Sequence, residues 1–448
     1  MTIHTAPQKE QDDRHKAAHN DVATDPSAPY LPSLHTHDTG LPFSFLVELA
    51  LKTMFRGGRL RLWALSKQLR LPVSVVEPLL EFLRNEKLCE VAQRGPDQSA
   101  AEISFQLSAA GRERAESALQ KSQYVGPAPV SLESYVAQVE RQSATTVHVT
   151  QQALAAVFDA VVLQAGLRDD LGTALNSGRP ILLHGPSGSG KTFIAEHLAA
   201  ALSGHIYVPY AILVDDQVIQ IYDPVVHRVV PTNANYESIA RWTVTDQRWL
   251  LCQRPVVMTG GELTLAALDM QFDETSRFYI APPQVKANNG LFIIDDLGRQ
   301  QLSPQDLMNR WIVPLDRRID HFLLHTGKQF CLPFQLTVIF SSNLRPTDLA
   351  DEAFLRRLGY KIHVGEVSPD DYRKLVIQAC EKSSVQYAEP AFDYLLHKLH
   401  VRSGKPLLPC TAFDLVSMAH DRATYQNTPA TLTHESLDWA WKTYFAAA

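Results

Sequence analysis

The chain has 448 residues, 45% apolar and 20% charged, with a formal net charge of −6. That length predicts two or three domains with cores of their own, and the acidic balance excludes a protein that holds nucleic acid by bulk electrostatics, although one basic module can hide in the average. No apolar run approaches the roughly 20 residues that span a bilayer, the N-terminus lacks an apolar signal core, and five scattered cysteines without CxxC spacing point to reduced thiols in a cytoplasmic protein.

Residues 1–40 are polar and rich in Pro, His and Asp, which predicts a disordered tail. Its histidines are irregularly spaced and argue for solvation over metal binding. Residues 41–123 read as one compact module. Phe43, Leu46, Val47, Ala50, Leu51 and Met54 make a helical stripe that stops at Gly57-Gly58. A second helix follows around Leu62, Leu65 and Leu69. A third carries Val76, Leu79, Leu80 and Leu83, with Ser74 and Glu77 spaced as a capping box. Two strand-like runs, 88–92 and 102–107, flank the polar tip RGPDQSA, and LSAAGRERAESALQ supplies a last helix. Three helices, a β-wing and a helix resemble a winged helix. The third helix holds Glu77, Glu81 and Glu86 against Arg84 and Lys87, and the tip holds only Arg94, which is poor chemistry for a phosphate backbone. Cations gather instead on the second helix and its approach, at Arg56, Arg59, Arg61, Lys67 and Arg70. The module therefore reads as a docking unit for a partner protein, with DNA binding as the alternative.

Residues 124–148 look like a linker, and an amphipathic helix near Leu154–Leu163 opens the next domain, 149–366. Within it, Gly185-Pro186-Ser187-Gly188-Ser189-Gly190-Lys191-Thr192 fits GxxxxGK[ST] at every fixed position. An apolar run, ILLH, leads into that loop and a strong helix former, FIAEHLAAAL, leaves it. Strand, glycine loop, helix is the arrangement that phosphate binding needs: backbone N–H groups turn inward, and the helix N-terminus adds partial positive charge. Lys191 would reach the β- and γ-phosphates of ATP, and Thr192 would ligate Mg²⁺. About 100 residues on, Leu291-Phe-Ile-Ile-Asp295-Asp296 resembles a Walker B strand. On that resemblance Asp295 holds Mg²⁺ and Asp296 polarises the attacking water. The second acid is more often Glu, so Asp296 is one methylene short.

Further resemblance narrows the class to AAA+ ATPases. QLTVIFSS ends at Asn343, the place of the polar residue called sensor 1. DEAFLRRLGYKI places Arg356 and Arg357 where AAA+ proteins carry an arginine finger that acts on a neighbour's ATP. Residues 367–448, with helical patterns at 370–380, 391–399, 413–425 and 434–445, take the place of the helical lid. Stretches such as IYVPYAILVDDQVIQIYDPVVH and PPQVKANNGLFIIDDLGRQ are similar to a little-characterised bacterial group of these ATPases. In that group the lid usually has Pro-Arg-Asp-Leu, whereas this chain reads Ala412-Phe413-Asp414-Leu415, so Phe413 stands at the arginine position, and either Arg402 or Lys405 substitutes or the lid is less coupled to nucleotide state. Residues 211–230 predict a β-hairpin, either a structural one or, as the resemblance to ring ATPases implies, one that grips a substrate or partner.

The fold expected is thus an αβα P-loop AAA+ core with a parallel sheet, a helical lid, and an N-terminal winged-helix-like α+β domain. The function implied is a ring, of hexamer size, that hydrolyses Mg-ATP at subunit interfaces and remodels a protein client or adaptor. The alternatives are an ATP-switched DNA-binding regulator and a nucleotide-binding scaffold with weak hydrolysis.

Overall fold

Four consecutive apolar residues, Leu291–Ile294, need cover on both faces, and in this computed structural model all four are buried in a parallel sheet. The structure describes residues 33, 35–93, 103–143, 148–231, 245–349 and 351–445. Across the sheet the strands run Val256–Thr259, Leu291–Ile294, Thr337–Ser342, Ile181–His184 and Tyr360–His363, each parallel to its neighbour. Side chains alternate between two cores. Phe292 and Ile294 join Trp311, Leu307 and Met308 of the helix Pro304–Arg317. Leu291 and Ile293 join Leu171 of Leu167–Asn176 and Ile194 and Leu198 of Lys191–Ala201. This is the three-layer αβα P-loop core that the AAA+ resemblance implies.

A helical domain follows: Pro369–Lys382, then Glu389–Tyr394 continuing through a π-helical stretch Leu395–His400, then Pro409–Tyr425 and His434–Tyr444. Tyr372, Phe392, Leu415 and Leu437 close its core.

The N-terminal module has the helices Phe43–Gly57, Leu62–Leu69, Val73–Asn85 and Ala109–Lys121 around a small antiparallel sheet. Its third strand, Leu60–Arg61, pairs with Ser104–Phe105 and was not expected from so short a run. The proposed capping box does not form, because the helix already starts at Val73 with Pro72 as its N-cap, leaving Ser74 inside the first turn. The wing tip with Arg94 lies outside the described residues, as does the tail up to residue 32. The end of that tail is not loose: Thr36–Thr39 form a 3-10 turn, and the buried Arg248 donates to the Thr39 carbonyl at 2.9 Å.

Two expectations change in the middle of the chain. The linker 124–148 carries structure of its own: the strand Val130–Ser131 and the helix Leu132–Arg141, which Ser131 caps by accepting from the Ser134 N–H. That helix buries Tyr135, Gln138 and Val139. The hairpin at 211–220 forms, turning at Asp215 and Asp216 with φ 50° and 61°, but it is built into a second five-stranded sheet with Val130–Ser131 and Phe278–Ile280. Ala211, Leu213 and Val218 pack into the N-terminal module, while Ile212, Val214 and Ile219 pack the other way. With both faces covered, only the Asp215–Asp216 tip projects, and the hairpin joins the N-terminal module to the core of the second sheet. Lys286 binds the Asp223 carboxylate at 2.8 Å, and both His227 ring nitrogens face backbone partners. No described helix is long and apolar enough to cross a membrane.

One buried charge inside the module yields a prediction. Lys52 is 4% exposed, its ammonium donates among the described residues to the Ser122 carbonyl alone, and burial lowers its pKa to about 8 despite Glu48. A lysine pKa lower in the folded chain means fewer protons bound by the native state between about pH 8 and the ordinary lysine range. Stability should therefore rise with pH through that window. Lys52→Met is expected to stabilise the chain at pH 7 by on the order of 1–2 kcal/mol, after the lost hydrogen bond, with the gain shrinking by pH 10. Thermal melts of both chains at the two pH values check it; a loss of stability at pH 7 would count against it.

Candidate functional site

All five core strands being parallel, their C-terminal ends share one edge, where α/β sheets bind ligands. Three adjacent strands end in chemistry there: Leu291–Ile294 in Asp295 and Asp296, Thr337–Ser342 in Asn343, and Ile181–His184 in the loop Gly185–Gly190. The loop needs its glycines. Gly185, Gly188 and Gly190 have φ of 150°, 82° and 93°, and a Cβ on Gly185 would lie 2.0 Å from the Val364 carbonyl oxygen. Lys191 and Thr192 open the helix Lys191–Ala201, so its N-terminal N–H groups face the loop's concavity.

Sequence-distant side chains then converge. The Lys191 ammonium, 5% exposed, donates to the carbonyls of Gly185 at 3.1 Å and Pro186 at 2.9 Å, and to Asn343 Oδ1 at 2.8 Å. Asn343 in turn donates through Nδ2 to Asp296 Oδ1 at 2.9 Å. Beside this chain of contacts, Thr192 Oγ1 donates to the Asp295 carboxylate, 3.0 Å from Oδ1 and 2.8 Å from Oδ2. Burial lowers the pKa of Lys191, and the carboxylates of Asp296 and Asp295 oppose that. Asp296 itself sits at φ 50°, a left-handed conformation that aspartate tolerates by local hydrogen bonding. The shorter acid therefore has a backbone reason to stand here.

Lys191, Thr192, Asp296 and Asn343 line a cavity of about 660 Å³, within the range of ordinary ligand sites. Its second wall is Val161, Val162 and Leu163. The helix expected at 154–163 ends at Val157, which frees this apolar segment to run along the cavity. The lid closes the third side with Leu375, Gln378, Lys382, Cys410 and Phe413. Phe413 thus does reach the cavity, but Arg402 and Lys405 do not line it. Arg402 is exposed on a short helix, and the Lys405 ammonium lies 5.0 Å from the Phe445 ring. The lid cation that faces inward is Lys382, with its ammonium 5.9 Å from the Phe413 ring. Nothing in the sequence flagged it, since it is the last residue of an otherwise ordinary amphipathic helix.

Buried polar atoms show what the cavity lacks internally. Ser189 Oγ and Ser341 Oγ, both from cavity-lining residues, have no hydrogen-bond partner among the described residues, and Thr259 Oγ1 at the end of the neighbouring strand is also unpaired. Leaving such groups unpaired costs roughly 1–3 kcal/mol each, so the site suits a ligand rich in acceptors. A hydroxyl beside a carboxylate, as in Thr192 and Asp295, is the hard oxygen donor set that Mg²⁺ takes. The residues present fit Mg-ATP.

Arg356 and Arg357 lie outside this cavity. They follow a single helical turn, Glu352–Leu355. Their surroundings differ: Arg357 Nε donates to Asp316 Oδ2 at 2.9 Å, whereas Arg356 is exposed and no ion pair holds it among the described residues.

Comparisons with known proteins add little to this geometry. Residues 368–443 match a family described as a domain of unknown function, DUF8689. No curated protein matches the chain. Among solved structures, the chain is similar to NtrX from Brucella abortus, at 14% identity and a TM-score of 0.40. That match covers 63% of this chain and 55% of the other, so the chain spans about half the length of that relative. It is also similar to the Thermotoga maritima RuvB Holliday junction branch migration motor, at 14% identity and a TM-score of 0.37, covering 64% of this chain and 70% of that one. Likeness at this level carries no argument about function, which rests on the site.

The contact between lid and loop yields a second prediction. The Cys410 N–H donates to the Gly188 carbonyl at 3.2 Å, and a Cβ on Gly188 would lie 2.1 Å from Cys410 Sγ. Gly188→Ala should strain the loop by about 1–3 kcal/mol and lift the lid. Nucleotide affinity is expected to fall at least about tenfold, and Cys410→Ala in the same chain to restore part of it. Titration of a fluorescent ATP analogue checks this; unchanged affinity in Gly188→Ala would mean that the lid does not close on the loop.

Proposed function

We propose that this chain is an AAA+ ATPase that binds Mg-ATP in the loop Gly185–Thr192, hydrolyses it at the interface between neighbouring subunits of a ring, and thereby remodels a protein partner recruited by the N-terminal module. The observation that carries the reading is the run of contacts from Lys191 through Asn343 to Asp296, alongside Thr192 on Asp295, at the C-terminal edge of the sheet.

Each residue has a role that follows from its position. Lys191 supplies a buried positive charge to the terminal phosphates, where low dielectric makes it strong. Its three hydrogen bonds to the protein are the ones that phosphate oxygens would exchange with. Asp296 accepts a hydrogen bond from the attacking water and orients it for in-line displacement, giving ADP and phosphate. Asn343 holds Lys191 and Asp296 in register, so the cation and the acid move together. Mg²⁺, held by Thr192 and Asp295, would neutralise charge on the phosphates. Arg356, exposed and without a carboxylate partner among the described residues, is the finger offered to a neighbour's site, whereas Asp316 holds Arg357 back. The packing of the hairpin 211–220 between the module and the second sheet is the route by which a change at the nucleotide would reach a partner held by the module.

ATP turnover measured against protein concentration, for wild type and Lys191→Ala, tests this. The expected result is turnover that rises cooperatively with concentration and vanishes in the mutant. Turnover independent of concentration would replace the ring with a monomeric enzyme, and none above the mutant would leave a nucleotide-binding scaffold.

A further inference from the structure

The stretch from Phe55 to Lys67 gathers cations and rings on one exposed face. Phe55 and Arg56 end the first helix, and Gly57 brings that end back so closely that a Cβ there would lie 2.8 Å from Leu60. In the strand Leu60–Arg61, Leu60 packs against the module's core, so Arg59 and Arg61 on either side point outward. Trp63 and Lys67, four residues apart, share one face of the helix Leu62–Leu69. Trp63 is 55% exposed and Phe55 37%. Arg56, Arg59, Arg61 and Lys67 are all exposed, and among the described residues none has a carboxylate partner. In a chain of net charge −6, four unneutralised cations around an exposed tryptophan form a local inversion of sign.

We propose that this face docks the partner, and that the partner segment is a short acidic stretch of protein carrying an aromatic or aliphatic anchor for Trp63 and Phe55. This rests on the reading of the chain as an ATPase that acts on a recruited protein, and it names the chemistry of what is recruited.

The extent of the patch favours a peptide over a nucleic acid. The helix Leu62–Leu69 is about 12 Å long, room for only about three or four phosphates of one strand. The helix Val73–Asn85 packs on it, with Glu77, Glu81 and Arg84 exposed and Glu86 and Lys87 exposed just beyond, three acids against two cations. A polyanion continuing past the patch would find no further net positive charge there, whereas a short acidic segment ends before it. Tryptophan and arginine together are also the composition of protein-binding hot spots.

The test uses the full chain and three fluorescein-labelled probes followed by anisotropy. They are a dodecapeptide of Glu and Asp with two Phe, the same peptide with Gln and Asn in place of the acids, and a twelve-nucleotide oligothymidylate. The acidic peptide should bind, weaken with added salt, and lose at least about tenfold in affinity with Trp63→Ala and with Arg59→Glu/Arg61→Glu. The neutral peptide should not bind, and the Arg59→Lys/Arg61→Lys chain should keep most of the affinity. Melting temperature and basal ATP turnover, read on the same samples, should match wild type in every variant. Peptide binding without any turnover would sink the ATPase reading and leave the docking face standing. Oligothymidylate binding tighter than the acidic peptide and lost in the same variants would overturn the proposal in favour of nucleic acid. Failure of the acidic peptide to bind, or equal binding by wild type and the Glu variants, would overturn it outright.

Discussion

Lys191→Ala is expected to bind ATP at least about a hundredfold more weakly than wild type and to show no turnover above background. The loss has two sources. Of the two lysines that line the cavity, Lys191 and Lys382, Lys191 is the buried one, so its attraction for phosphate is little screened by water. It also ties the loop to Asn343; without it, the Gly185 and Pro186 carbonyls and Asn343 Oδ1 each lose a donor. The pH dependence has a definite sign. ATP affinity should fall as pH rises through the Lys191 pKa, which burial has already lowered. Asp296 is the larger of the two carboxylates holding that pKa up, so Asp296→Asn should move the fall to lower pH. Calorimetric titration of ATP into wild type and the two variants across alkaline pH measures all of this. Tight ATP binding by Lys191→Ala, or an Asp296→Asn profile displaced to higher pH, would contradict the assignment.

Arg356→Ala should keep ATP affinity within about threefold of wild type while turnover drops by about a thousandfold, the size of effect an arginine finger has on phosphoryl transfer. Binding survives because Arg356 is not part of its own subunit's cavity. Arg357→Ala should cost far less. Its partner Asp316 is half-exposed, and such surface pairs contribute about 0–1 kcal/mol. A mixing experiment separates a trans role from a structural one. Lys191→Ala subunits carry an intact Arg356, and Arg356→Ala subunits carry an intact loop, so combining the two inactive proteins should recover part of the turnover. If the mixture stays inactive while each protein assembles normally, Arg356 does not act across an interface.

Both results bear on one linkage, between nucleotide and partner. The hairpin 211–220 puts one face into the N-terminal module's core and the other into the core of the second sheet, which the helix Leu132–Arg141 also fills with Tyr135 and Val139. Gln142 adds polar ties to the Tyr207 backbone and to Asn289. On the proposed reading, a partner docked on the module is held by a body packed on the second sheet, while the lid touches the loop Gly185–Gly190 through the Cys410 N–H on the Gly188 carbonyl.

The glycine loop and the acids that the structure brings beside it were legible in the residues because their pattern is local in sequence. Glycines at fixed positions, a lysine and a hydroxyl must follow one strand within one turn, and two acids must follow another, so the spacing carries the geometry. The same holds for the helices of the module and lid, where a 3.6-residue apolar period suffices. Residues 124–148 misled because Gly, Pro and Ala at their start outweighed a helical stripe, Leu132, Tyr135 and Val139, whose value depends on a sheet formed by residues far along the chain. The hairpin was visible from its alternation, but alternation shows only that two faces differ in neighbours, not that both are covered. The bond from Asn343 to Lys191 and Asp296, the inward turn of Lys382 beside Phe413, and the difference between Arg356 and Arg357 were decided by tertiary structure alone. Each depends on how strands and helices distant in sequence are placed side by side, and no period or motif within one segment encodes that placement.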